Sequence, residues 1–101
     1  MELKAGTRLR SVVCDTQVVV VRAPTGEVVI TCGGHPVVPL DAAVEPASLD
    51  PAHSAGTLLG KRYADEAGTL ELLCTKAGKG SLAVDGQALG VKQPKPLPSS
   101  D

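Results

Sequence analysis

A cysteine and a histidine stand three residues apart in Cys32-Gly33-Gly34-His35, with Pro36-Val37-Val38 behind them. Thiolate and imidazole are the ligands that zinc and iron favour, and glycines on a tight turn let backbone amides approach a sulfur. Cys-x-x-His is half of a four-ligand set. The other cysteines are Cys14 and Cys74, and the other histidine is His53. A zinc or iron reading therefore rests on Cys14, Cys32, His35 and Cys74. Cys74 is preferred to His53 because it falls in a strand pattern, whereas His53 falls in a Pro/Ala-rich loop. No paired Cys-x-x-Cys spacing supports the set. Without closure by a third and a fourth ligand, the turn is a structural or partner-contacting corner and the cysteines are small buried hydrophobes.

The same segment places an imidazole beside a thiol, as nucleophilic catalysis by cysteine requires. Such a thiol needs a base or a helix N-terminus to ionise it, and nothing evident orients His35. Gly56-Thr57-Leu58-Leu59-Gly60-Lys61-Arg62 is one residue short of a P-loop and lacks the hydroxyl after the lysine. Lys76-Ala77-Gly78-Lys79-Gly80 offers amides and two ammonium groups to an anion, but such segments are usually solvated hairpin turns. The carboxylates are scattered. No catalytic set emerges, and enzymatic activity of the chain on its own is not expected.

The composition narrows the field further. With 10 basic and 11 acidic residues the net charge is −1, which gives no electrostatic attraction for nucleic acid. Tyr63 is the only aromatic residue, so no stacking platform for bases exists. At 43% hydrophobic residues the chain is not a disordered polyelectrolyte. Its 101 residues make one domain. The start lacks an apolar stretch of signal-peptide length and the longest Val/Leu/Ile run is Val18 to Val21, so a cytoplasmic chain without a membrane span is expected. A core built from Val, Leu and Ala buries little area per residue, which favours self-association or a partner.

The elements that would position these residues read as all-β. Val18 to Val21 and Glu27 to Thr31 flank Ala23-Pro24-Thr25-Gly26, the pattern of a hairpin. Further strands are expected around Arg8 to Cys14, Val37 to Leu40, Thr57 to Ala64 and Thr69 to Thr75, where alternation puts Leu70, Leu72 and Cys74 on one face. Asp65 to Gly68 is a turn, and Asp85-Gly86 between Ser81–Val84 and Gln87–Leu89 suits a type I′ hairpin. Asp41 to Ala55 carries Pro46 and Pro51 and reads as an irregular connection. Residues 1–93 form a single β domain, a small barrel or sandwich of about seven short strands. Residues 94–101, with Pro94, Pro96 and Pro98, form an extended, flexible tail.

Residues 6 to 38 resemble the desulforedoxin domain, also found at the N-terminus of desulfoferrodoxin. That family carries Gly…Cys-x-x-Cys-Gly, a Val-rich hairpin and Cys-Cys-Gly-Glu-Pro-Met-Val, and its four cysteines hold one iron. This chain has Gly6…Ser11-Val12-Val13-Cys14-Asp15, the segment Val18 to Ile30, then Cys32-Gly33-Gly34-His35-Pro36-Val37-Val38. The resemblance implies that Cys14 and Cys32 take the second and third ligand positions and lie close together. Ser11 and Gly33 stand at the first and fourth, so half of the ligands are missing unless His35 or Cys74 substitutes. A knuckle that has lost its metal is the economical reading.

These features favour a non-catalytic accessory or small subunit without a cofactor, binding a protein partner or forming a homo-oligomer. A desulforedoxin-like zinc or iron protein is the second reading. The third is a small-molecule or anion-binding module using the Cys32 to Pro36 turn.

Overall fold

The computed structural model describes residues 3–43, 45–65 and 68–91. The chain is all-β, as expected, and its strands form two antiparallel sheets. The larger runs β10-β6-β7-β2-β1-β5, from β1 (Arg8–Arg10), β2 (Gln17–Arg22), β5 (Val38–Pro39), β6 (Arg62–Ala64), β7 (Glu71–Lys76) and β10 (Gly90–Val91). The smaller runs β4-β3-β8-β9, from β3 (Ile30–Cys32), β4 (His35–Pro36), β8 (Leu82–Val84) and β9 (Gln87–Ala88). Both sheets contribute to one apolar core, so the arrangement is an open sandwich and not a closed barrel. Among the described residues no helix is long and apolar enough to cross a membrane.

The centre of the large sheet follows from period-two burial. Val18 and Val20 of β2 point into the core, and their register partners across β7 are Cys74 and Leu72. Leu70, Leu72 and Cys74 are all buried, as their alternation indicates. The Asp85-Gly86 hairpin also forms. Both residues have positive φ, as the two-residue type I′ turn demands, and Val84 pairs with Gln87 across it.

The hairpin expected between Val18–Val21 and Glu27–Thr31 does not form. Both edges of β2 are already paired, one with β1 and the other with β7. Gly26 does turn the chain, at φ +86°, but into a crossover that delivers Ile30 to the other sheet. There Val29 donates its N–H to Asp85 Oδ1 at 2.9 Å and accepts from the Asp85 N–H at 2.8 Å.

Two expected strands are shorter than their patterns. The one through Cys14 stops at Arg10, because Ser11 Oγ accepts the N–H groups of Val13 and Cys14 at 3.1 and 3.3 Å. A hydroxyl that takes backbone amides offers them an alternative to the ladder. The one from Thr57 begins only at Arg62, since Tyr63 Oη accepts the Leu58 N–H at 2.9 Å and the intervening residues bend. The described residues form ten strands where about seven were expected, the unexpected ones including the two-residue pairings β4 on β3 and β10 on β6.

Within the described part of 41–55 the chain is irregular apart from one 3₁₀ turn, Pro51–His53, capped by Asp50. This connection packs on the small sheet. Asp50 donates its N–H to Gly33 O at 3.0 Å, and His53 O accepts the Ser81 N–H at 2.8 Å. The tail at 94–101 and the domain boundary at 93 lie outside the described residues.

Candidate functional site

The bend that follows β1 brings Cys14 to the end of β3. Ser11 closes the bend, donating its own N–H to Thr16 O at 2.9 Å while its side chain holds Val13 and Cys14. Cys14 Sγ then lies 3.9 Å from Cys32 Sγ. The proximity of the two cysteines, which the resemblance implies, is present in the structure. They differ in access: Cys32 is fully buried at 0% exposure, whereas Cys14 is half-buried.

Hydroxyls and an amide surround the Cys14 sulfur. Ser11 Oγ is at 3.4 Å and Thr16 Oγ1 at 3.2 Å, and the Gly80 N–H donates to the sulfur at 3.4 Å. Ser11 Oγ already accepts two amides, so its single proton is available to a thiolate. Thr16 Oγ1 meets Thr57 Oγ1 at 2.9 Å, and Thr57 Oγ1 accepts the Gly78 N–H at 2.9 Å. Thr57 Oγ1 also lies 3.4 Å from Gly78 O, so its proton is shared between that carbonyl and Thr16.

These neighbours divide the two thiols. Burial raises the Cys14 pKa, but the Ser11 and Thr16 hydroxyls, then the backbone of Thr16 and Gly80, outweigh it and lower the value from 9.0 to about 7. Burial, followed by the charge of Cys14 alongside, raises Cys32 to about 11. Of the two thiols, Cys14 is the one whose thiolate the surroundings favour.

His35 is the register partner of Cys32 across the Gly33-Gly34 turn, and it is half-buried. Cys74 lies in β7, where its thiol donates to Lys76 O at 3.2 Å. Among the described residues no three His, Cys, Asp or Glu side chains converge on a point, so His35 and Cys74 do not join the Cys14–Cys32 pair. The sulfur separation itself matches an edge of a tetrahedral thiolate site, about 3.8 Å for metal–sulfur bonds of about 2.3 Å. The other corners do not fit the iron that the resemblance implies. Ser11 Oγ is engaged by two amides, and Gly33 has no side chain to offer.

The glycine segment 76–80, expected to be a solvated hairpin turn, instead passes from β7 in one sheet to β8 in the other and roofs the two sulfurs. A Cβ on Gly78 would lie 2.9 Å from Cys14 Sγ, and one on Gly80 would lie 3.0 Å from Cys32 Sγ. Thr16, Thr57, Gly78 and Gly80 are thus site residues that the sequence reading missed, while Ser11, which the resemblance places at an empty ligand position, sets its hydroxyl against the Cys14 sulfur. Ser11 had a readable signal, a hydroxyl three residues before a cysteine at the end of a strand. Thr57 and the glycines had none, because they come from segments distant in the chain. Depressions elsewhere on the surface, one lined by Pro24, Val28, Leu70 and Val84 and another by Arg8, Val19, Leu40 and Thr75, do not involve the dithiol.

Comparison of the chain with protein-family models, with curated proteins and with solved structures gives no match.

Proposed function

We propose that this chain is a non-catalytic accessory domain that binds a protein partner or a second copy of itself, built around a metal-free, two-thiol version of a metal knuckle. The observation that carries the metal-free part is the make-up of the corner. Two sulfurs stand at tetrahedral spacing, while a serine oxygen committed to amides and a glycine occupy the remaining positions. The binding part is supported by Leu58 and Leu59, adjacent in the chain and 57% and 66% exposed. Side-by-side exposed leucines are an expense for a small domain that an interface recovers. Among the described residues the edge strands β4, β5 and β9 each have two residues, too short to offer a long template for strand addition, so side-chain contact is the expected mode.

Native protein purified without a histidine tag tests both parts on one sample. Metal analysis by mass spectrometry should find zinc and iron well below one per chain. Sedimentation should show concentration-dependent association, or a stable complex with a co-purifying partner, that weakens in Leu58→Glu/Leu59→Glu. One zinc or iron per chain, lost together with folding in Cys32→Ser, would replace this reading with the metalloprotein. A strict monomer with no partner would remove the accessory role.

A further inference from the structure

We propose that Cys14 and Cys32 form a reversible thiol–disulfide site, in which Cys14 attacks a low-molecular-weight disulfide and Cys32 resolves the mixed disulfide. The inference rests on the metal-free reading of the corner and assigns it a chemistry.

The geometry sets the two roles. Cys14 is half-buried, while Cys32 is fully buried with its sulfur beside that of Cys14. The ring of donors around Cys14 favours its thiolate, the form that attacks a disulfide. Cys32 is fully buried, and its sulfur lies 3.9 Å from the point where a mixed disulfide on Cys14 would form. Cys74 is not a competing resolving thiol, because it donates to Lys76 O within its own strand. The roof of residues 78–80 lies against both sulfurs and Cys14 is only half-exposed, which favours a small disulfide over one held in a folded protein.

The chemistry balances. The Cys14 thiolate attacks one sulfur of R–S–S–R, the S–S bond breaks, and RS⁻ leaves with the electron pair. Cys32 then attacks Cys14 Sγ. The second R–S group departs as RSH, carrying the proton that Cys32 gives up. The products are a Cys14–Cys32 disulfide, one thiolate and one thiol, so the protein is oxidised by two electrons and the small disulfide is reduced by two.

Closing the bond brings the sulfurs from 3.9 Å to about 2.05 Å. Cys32 is fixed by β3, whose register runs to both β4 and β8, whereas Cys14 sits in a bend outside any strand. The movement therefore falls on Cys14. It exchanges the contacts with Ser11, Thr16 and Gly80 for the covalent bond, and the roof loses one of its anchors.

The test is intact-mass spectrometry of the full chain after incubation with glutathione disulfide, on protein whose metal content has first been measured. The wild type should lose two hydrogens, peptide mapping should place the link between Cys14 and Cys32, and dithiothreitol should restore the starting mass. Cys32→Ser should stop at one glutathione on Cys14, Cys14→Ser should not react at the corner, and Cys74→Ser should behave as wild type. Cys32→Ala serves if the serine variant does not fold. Metal-free, folded protein that stays reduced, or that links through Cys74, would overturn the proposal while leaving the metal-free reading standing. One metal per chain would instead show that the underlying reading had failed.

Discussion

Val20→Asp is expected to abolish the cooperative thermal unfolding transition. Val20 is 1% exposed, lies in β2 at the centre of the large sheet and faces Leu72 across the ladder with β7. The aspartate would place a carboxylate in an aliphatic core with no cation among the buried side chains around it. Burying an unpaired charge costs at least several kcal/mol, against a total stability of about 5–15 kcal/mol for a domain. Far-ultraviolet circular dichroism on heating reads the outcome. Val21→Asp, at a neighbouring exposed position on the same strand, should melt within a few degrees of the wild type. An unchanged melting temperature for Val20→Asp would mean that β2 presents its other face to the core.

Gly78→Ala should cost about 3 kcal/mol, at the upper end of ordinary overpacking. The added Cβ would lie 2.6 Å from the Thr16 backbone nitrogen, inside contact with Thr16 Oγ1 and 2.9 Å from Cys14 Sγ. Two of these atoms belong to one buried residue, and the backbone nitrogen cannot rotate away. Relief requires the 76–80 segment to lift, which breaks the Gly78 N–H bond to Thr57 and the Gly80 N–H bond to Cys14. Stability falls, and with it the donors that favour the Cys14 thiolate, so thiol reactivity at neutral pH should fall as well. Gly90→Ala, where a Cβ meets nothing, is the control and should change stability by less than about 0.5 kcal/mol. A neutral Gly78→Ala would show that the segment does not sit on the sulfurs.

The β character, the inward faces of β2 and β7 and the Asp85-Gly86 hairpin were legible because each depends on local alternation or turn chemistry. The partner of Val18–Val21 was not, since a β-branched run states that it pairs but not with which strand. The choice of β1 and β7 over Ile30 is made by the packing of both sheets on one core. The site divides in the same way. The cysteines could be named, but the hairpin that was to carry Cys14 toward Cys32 does not form, and the bend after β1 brings them together instead. The lowering at Cys14 comes first from Ser11 and Thr16, its neighbours in the chain, and then from Gly80, which reaches the corner through the crossover from β7 to β8. The Gly33-Gly34-His35 turn drew attention to the imidazole, yet the groups that favour the thiolate are two hydroxyls and an amide, of which Ser11 alone carries a spacing signal.

The asymmetry of the two thiols is the central claim, and a pH titration of thiolate ultraviolet absorbance tests it most directly. With Cys14 lowered from 9.0 to about 7 and Cys32 raised to about 11, the folded wild type should gain thiolate absorbance around pH 7. Cys14→Ser should lose that step, and Cys32 should stay protonated until well above pH 9. The same difference appears in stability. The Cys14 contribution is fully present above its unfolded value near 9.0 and is lost as pH falls through about 7. Cys32 acts in the opposite direction, lowering stability as pH rises beyond 9.0, because the unfolded chain ionises first. A titration in which no thiolate forms below pH 8, or in which the step near 7 survives Cys14→Ser and vanishes in Cys32→Ser, would contradict the assignment of Cys14 as the reactive thiol.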